Sequence, residues 1–176
     1  MATIDLIVLG MLKKESMGAY DIQKQVEYRQ ISKWVKISTP SIYKKVIQLE
    51  EKGFITSRTE KDGKMPEKSV YTLTKAGERE FERLMEETSL APVNVFLDFN
   101  AVIVNLDSVS DDLKAEYIGN IENSVKSLLA TIEENISAKE NDEKIPETGK
   151  TVLRQQYALV KAIEDWIAEL KKGIKP

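Results

Sequence analysis

Ser38, Thr39, Ser41, Tyr43, Lys44, Lys45 and Gln48 crowd hydroxyl, ammonium and amide groups into one short stretch of the chain. Hydroxyls and lysines suit phosphate oxygens, and Lys and Gln also reach the donor and acceptor edges of bases. A second basic group follows, made of Arg58, Lys61, Lys64 and Lys68. Cations this close together suit a run of phosphates, although each group alone also fits an ordinary solvated face. Other chemistry is hard to build from this chain. It has no cysteine and no histidine. That removes the usual zinc ligands, thiol nucleophiles and the Ser-His relay. The tightest acidic clusters are Asp111-Asp112 and Asp142-Glu143. They read as a helix N-terminus after Ser110 and as part of a solvated loop. The expectation is a protein that is not an enzyme and needs no metal or cofactor.

The first polar group falls on a helix. Thr39 is expected to supply its hydroxyl cap, and Pro40 fits the first turn, where a missing N–H costs nothing. Ile42, Val46 and Leu49 recur at the spacing of one buried face, with Ile47 beside them. Ser41, Lys44, Lys45 and Gln48 fall opposite, and Gly53 ends the helix. Residues 54–60 read as a strand, 61–67 as a polar turn marked by Gly63 and Pro66, and 68–73 as a second strand. Thr74 caps the next helix, which runs through Ala76, Phe81 and Leu84. Helix, hairpin, helix is the order of a winged helix-turn-helix. The basic hairpin tip lies next to a helix of a size that enters a DNA groove.

These residues resemble the PadR family of bacterial transcriptional regulators. Ile4-Asp5-Leu6-Ile7-Val8-Leu9-Gly10-Met11-Leu12 is similar to the family's first helix. Met17-Gly18-Ala19-Tyr20-Asp21-Ile22 is similar to the start of its second, with Ala19 where Gly is usual and Gly18 at the His/Ser position. Ser41-Ile42-Tyr43, with Leu49-Glu50-Glu51-Lys52-Gly53-Phe54-Ile55, resembles the family's "LY…LEEKGLI" signature. Val70-Tyr71-Thr72-Leu73-Thr74-Lys75-Ala76-Gly77 resembles its "YxLTxxG" signature. Pro66-Glu67-Lys68 carries one lysine where the family has a basic pair. Beyond about Glu87 the likeness weakens. There it is to the helical domain of the larger subgroup, which contains virulence-gene activators, through Phe96-Leu97-Asp98-Phe99, Tyr157-Ala158-Leu159 and Trp166-Ile167. The resemblance implies that Tyr20 opens helix two at a backbone-contacting position. Packing under helix three is the competing reading, and Tyr43 has the same ambiguity. In short-tailed members of that family aromatic effectors stack on tryptophans at the dimer interface; in this longer chain the expected place for an effector is between head and tail. Phe96, Phe99, Tyr157 and Trp166 are the candidates, against the plainer reading of Trp166 as a dimer-core anchor. Trp34 is expected to pack between helices two and three.

Charge is unevenly spread. From Lys24 to Lys75 there are twelve Lys/Arg against six Asp/Glu, and from Ala91 to Pro176 ten against fifteen. A basic module joined to an acidic one fits a DNA-binding head on an assembly domain. The division is expected near Leu90, with residues 1–90 as the winged helix-turn-helix and 91–176 as a helical dimerisation and effector domain. Residues 92–106 mix strand propensity with helical spacing and are taken as helix. A long helix follows Ser110 to about Lys139, its seam set by Leu113, Tyr117, Ile121, Val125, Leu128, Ile132 and Ile136. A last helix spans 149–172 with a stripe of Leu153, Tyr157, Val160, Ile163, Ile167 and Leu170. Seams this long favour a second copy over the alternative, a helical hairpin that is self-sufficient within one chain. No apolar run approaches the ~20 residues of a membrane span, and no export signal is read, so a cytoplasmic protein is expected. The fold class is mostly α with a small β-hairpin. The functional expectation is a dimeric regulator, a repressor responsive to a small aromatic effector, on a palindromic operator in double-stranded DNA. The alternative is a winged-helix protein–protein interaction module without DNA binding.

Overall fold

The computed structural model describes residues 2–60 and 68–173. It divides into two compact units, Met1–Val93 and Asn94–Pro176. In the first, α1 (Ala2–Leu12), α2 (Ala19–Tyr28), a 3₁₀ turn (Ile31–Lys33) and α3 (Ser41–Glu51) precede the strands β1 (Ile55–Glu60) and β2 (Lys68–Leu73) and then α4 (Lys75–Leu90). Ile4, Val8, Leu9, Met11 and Leu12 of α1 are all buried, so this helix is the centre of the head rather than one of its walls. Ile22 and Val26 of α2, Ile42, Val46 and Leu49 of α3, Ile55 of β1 and Leu84 of α4 close around it. Trp34 packs against the same core.

The helix-to-hairpin corner is built from local rules. Gly53 adopts φ +72°, a left-handed conformation that costs glycine least. Its N–H donates to Glu50 O at 2.8 Å, and Phe54 N–H donates to Leu49 O at 3.0 Å. This paired closure uses up carbonyls that the end of a helix leaves free. Strands β1 and β2 pair antiparallel from Ile55↔Leu73 to Glu60↔Lys68. Met17 bridges to Tyr71 on the outer edge of β2. Thr74 caps α4 as expected, accepting from Gly77 N–H at 3.1 Å. Its hydroxyl also donates toward Gly53 O and Phe54 O, at 2.7 and 3.0 Å. Gly77 lies so close to the Phe54 carbonyl that a Cβ would overlap it.

The start of α3 departs from expectation. Pro40 stands at the N-cap position with no side-chain cap. Thr39 instead shapes a turn before the helix through its backbone, since Ser41 N–H donates to Ser38 O and Ile42 N–H to Thr39 O.

In the second unit, α5 (Asn100–Ile103) and a 3₁₀ turn (Leu106–Ser108) lead to α6 (Asp111–Lys139) and α7 (Glu147–Gly173). The expected helix over 92–106 is therefore mostly irregular chain with one short turn of helix. Val93, Val95 and Phe96 are exposed, so no packing offsets their poor helix propensity. The long helices run antiparallel, as the Lys171–Glu122 and Arg154–Glu140 ion pairs require. Their seam is Ile118, Val125, Leu129, Ile132, Val160 and Ile167, joined by Leu106 of the 3₁₀ turn, with Tyr157, Ile163 and Leu170 packed beside it. Two expected seam positions fall outside: Leu128 is 50% exposed and Leu113 38%. Ile118 and Leu129 take their place. Ser110 precedes α6 without a side-chain cap.

Candidate nucleic-acid interface

Helix α3 has two unlike faces. Ile42 and Val46 are fully buried and Leu49 nearly so. On the other side Ser41, Tyr43, Lys44 and Ile47 are exposed, and Gln48 is half-buried beside them. Lys44 makes no ion pair among the described residues, so its ammonium is available. Ser38 is exposed and Thr39 half-buried just before the helix. The N–H groups of Ser41 and Ile42 are already bonded within that turn, so the helix start presents hydroxyls rather than free N–H donors.

Lys45 does not join this face. Its ammonium lies 2.8 Å from Asp5 Oδ1 of α1, and the two side chains are only 12% and 16% exposed. The contact is an ion pair by distance, but no hydrogen bond is directed at that oxygen. Lys45 braces α3 onto α1 instead of standing out toward a groove. Sequence spacing put it opposite the apolar stripe, whereas it lies on the boundary, where a long side chain can turn either way.

Glu50 is a structural residue that sequence reasoning missed. Its Oε1 accepts the Ser57 N–H of β1 at 2.8 Å and ties the hairpin to α3. A bond from an acidic helix end to a strand seven residues later has no signature in composition or periodicity.

Tyr20 opens α2 and is 55% exposed, with the Lys24 ammonium 4.6 Å from its ring centre. Tyr43 is 45% exposed. Both are therefore outward residues, not aromatics packed under α3. On the hairpin Arg58 is engaged by Glu60 at 2.7 Å, which offsets part of its charge. Lys68 is exposed at the start of β2. Lys61 and Lys64 lie outside the described residues.

In the tail unit the four aromatic candidates do not converge. Phe99 and Trp166 stack, with centroids 5.9 Å apart and planes at 24°. Phe96 is 85% exposed and Tyr157 packs into the helical seam. Among the described residues no group of His, Cys, Asp or Glu could hold a metal ion, and no helix is long and apolar enough to cross a membrane.

Residues 8–83 match the model of the transcriptional regulator PadR-like family. The resemblance carried by the two signature motifs therefore holds. The negative transcriptional regulator PadR of Bacillus subtilis (strain 168) is 32% identical over 80 residues. That alignment spans 46% of this chain and 43% of the relative, a little under half of its length. The crystal structure of Bacillus subtilis PadR in complex with operator DNA superposes with a TM-score of 0.83 at 21% identity, covering 98% of this chain and 99% of that one. The Vibrio cholerae virulence activator AphA gives a TM-score of 0.71 at 21% identity, over 94% of each chain. The likeness in fold thus extends over both units, well beyond the stretch where sequence similarity is recognisable.

Proposed function

We propose that this chain, a PadR-like regulator by its first half, is a homodimeric repressor that binds a palindromic operator in double-stranded DNA. The observation that carries the reading is the outward face of α3, where Ser41, Tyr43 and Lys44 are exposed with Gln48 half-buried beside them, followed in sequence by Arg58, Lys61, Lys64 and Lys68. A protein-docking winged helix has no need of that excess of cations. Tyr20, Ser38, Thr39, Arg58, Lys61, Lys64 and Lys68 supply flanking phosphate contacts. Repression follows the relative described as a negative regulator. The half-exposed Phe99–Trp166 stack offers a surface on which a small aromatic effector would lie. A regulator that acts on bacterial DNA works in the cytoplasm.

The full chain should enrich a two-fold symmetric sequence from a pool of random duplexes. Its half-sites should lie one helical turn, ~34 Å, or a multiple of it apart. Enrichment of no sequence over the starting pool would overturn DNA reading and leave the protein-docking alternative. Enrichment of a single unpaired half-site would overturn the dimer.

A further inference from the structure

Ile47 has no place in the fold that explains it. It is 53% exposed, more than Tyr43 at 45%, although it sits inside a helix whose other large aliphatic residues are buried. At 3.6 residues per turn it points roughly 100 to 160° away from Ile42, Val46 and Leu49. It is not among the residues that pack against the head core. Lys44 lies one turn before it and Gln48 directly after it, so it stands near the middle of the outward face. Sequence spacing groups it with the buried stripe, and the structure separates it.

We infer that Ile47 is a specificity-determining residue that reads thymine, by packing against the C5 methyl group in the major groove. This rests on the proposed function. The chemistry follows from what the groove floor displays. Amide, ammonium and hydroxyl groups match the donors and acceptors of base edges, and the thymine methyl is the one apolar feature there. An aliphatic side chain among polar readers on a groove-facing helix matches that methyl group. Isoleucine is suited to it. Branching at Cβ leaves one strongly preferred χ1 rotamer in a helix, so its methyl groups are held in place before binding. Little side-chain freedom then disappears when the methyl groups meet. Lys44 on the same face supplies phosphate or base-edge attraction that brings the helix down to the groove floor.

The test uses the full chain and the duplex it selects. Each thymine of a half-site is replaced in turn by deoxyuridine, which removes only the methyl group. At one position the wild-type protein should lose affinity about fourfold, the equivalent of ~0.8 kcal/mol for a buried methyl-sized group. Ile47→Ala should bind the thymine and deoxyuridine duplexes equally well at that position. Ile47→Val, which keeps the branch, should retain the discrimination. If no thymine discriminates, or if Ile47→Ala discriminates as strongly as wild type, Ile47 does not read thymine. An Ile47→Ala protein that unfolds would place the side chain in the core and overturn the inference as well. Should the chain select no duplex at all, the proposed function itself fails, an outcome distinct from selection without thymine coupling.

Discussion

Two adjacent lysines on one helix have different work. Lys44 is exposed and unpaired among the described residues, and Lys45 is turned onto Asp5. Lys44→Ala should therefore leave the melting temperature unchanged and flatten the salt dependence of duplex binding, by about 0.9 in log–log slope for each phosphate it no longer neutralises. Lys45→Ala should do the reverse. Removing it strands a mostly buried carboxylate, which should cost about 1–3 kcal/mol of head stability. Urea unfolding of Lys45→Ala, Asp5→Ala and the double variant checks this. The double variant should be more stable than the sum of the single losses, because neither charge is then left alone. Neighbouring lysines with equal effects on salt slope would contradict the assignment. Both residues were legible in the sequence as members of this helix. Their different roles were not, since the partner of Lys45 lies forty positions earlier in another helix.

At the scale of elements, the corner from α3 into the hairpin and α4 was legible because it is made of local pieces: a positive-φ glycine, a hydroxyl cap and alternating strands. Gly77→Ala tests how tight that corner is. Its new Cβ would meet the Phe54 carbonyl, and backbone cannot move aside cheaply. A loss above about 2 kcal/mol is expected by thermal melting, where an ordinary helical Gly→Ala change would stabilise. The tail was less legible. Residues 92–106 carry conflicting local preferences, and nothing local decides between them. The α6 seam slips by one position at Leu128/Leu129, because a long straight helix drifts about 20° per heptad against a strict seven-residue repeat. Lys139, at the end of α6, is a buried amine. It falls seven residues after Ile132, is 7% exposed, and its Nζ has no hydrogen-bond partner. Burial holds its pKa below the usual 10.5. The unfolded chain therefore binds that proton more tightly. The penalty on the folded tail is present at neutral pH and fades as pH rises from the folded value toward 10.5. Lys139→Met should raise tail stability at pH 7 by about 1–3 kcal/mol and remove that alkaline gain. Denaturant melts of both proteins at neutral and alkaline pH decide it. Equal pH slopes would mean that the amine is not desolvated in solution.

At the scale of the whole molecule, the exposed apolar residues call for a partner. Leu90, Val93, Val95, Phe96 and Val104 are between 74% and 91% exposed within a single stretch of chain. Large apolar side chains left bare mark interaction sites more often than free surface. Light scattering at micromolar concentration should give twice the protomer mass. Val93→Asp with Phe96→Asp should shift the protein toward monomer without changing its helix content. A monomeric wild-type protein, or a double variant that still dimerises fully, would show that this stretch does not join the two copies. The sequence pointed to a second copy through its long seams. The structure moves the emphasis, since α6 and α7 cover much of each other's seam, while the bare side chains fall from the end of α4 to Val104 just after α5.

The division of α3 into a core-facing half and an outward half has an evolutionary consequence. Stability is selected through Ile42, Val46 and Leu49, while Ser41, Lys44, Ile47 and Gln48 contribute little to it. Mutations at those outward sites are thus close to neutral for folding and can accumulate independently of the core. A duplicated copy of such a chain could drift to a new operator by a few substitutions, each leaving a folded protein. A library randomised at those outward sites should remain mostly folded while, under the proposed function, its members diverge in the duplexes they prefer, as an exchangeable reading head on a retained frame would.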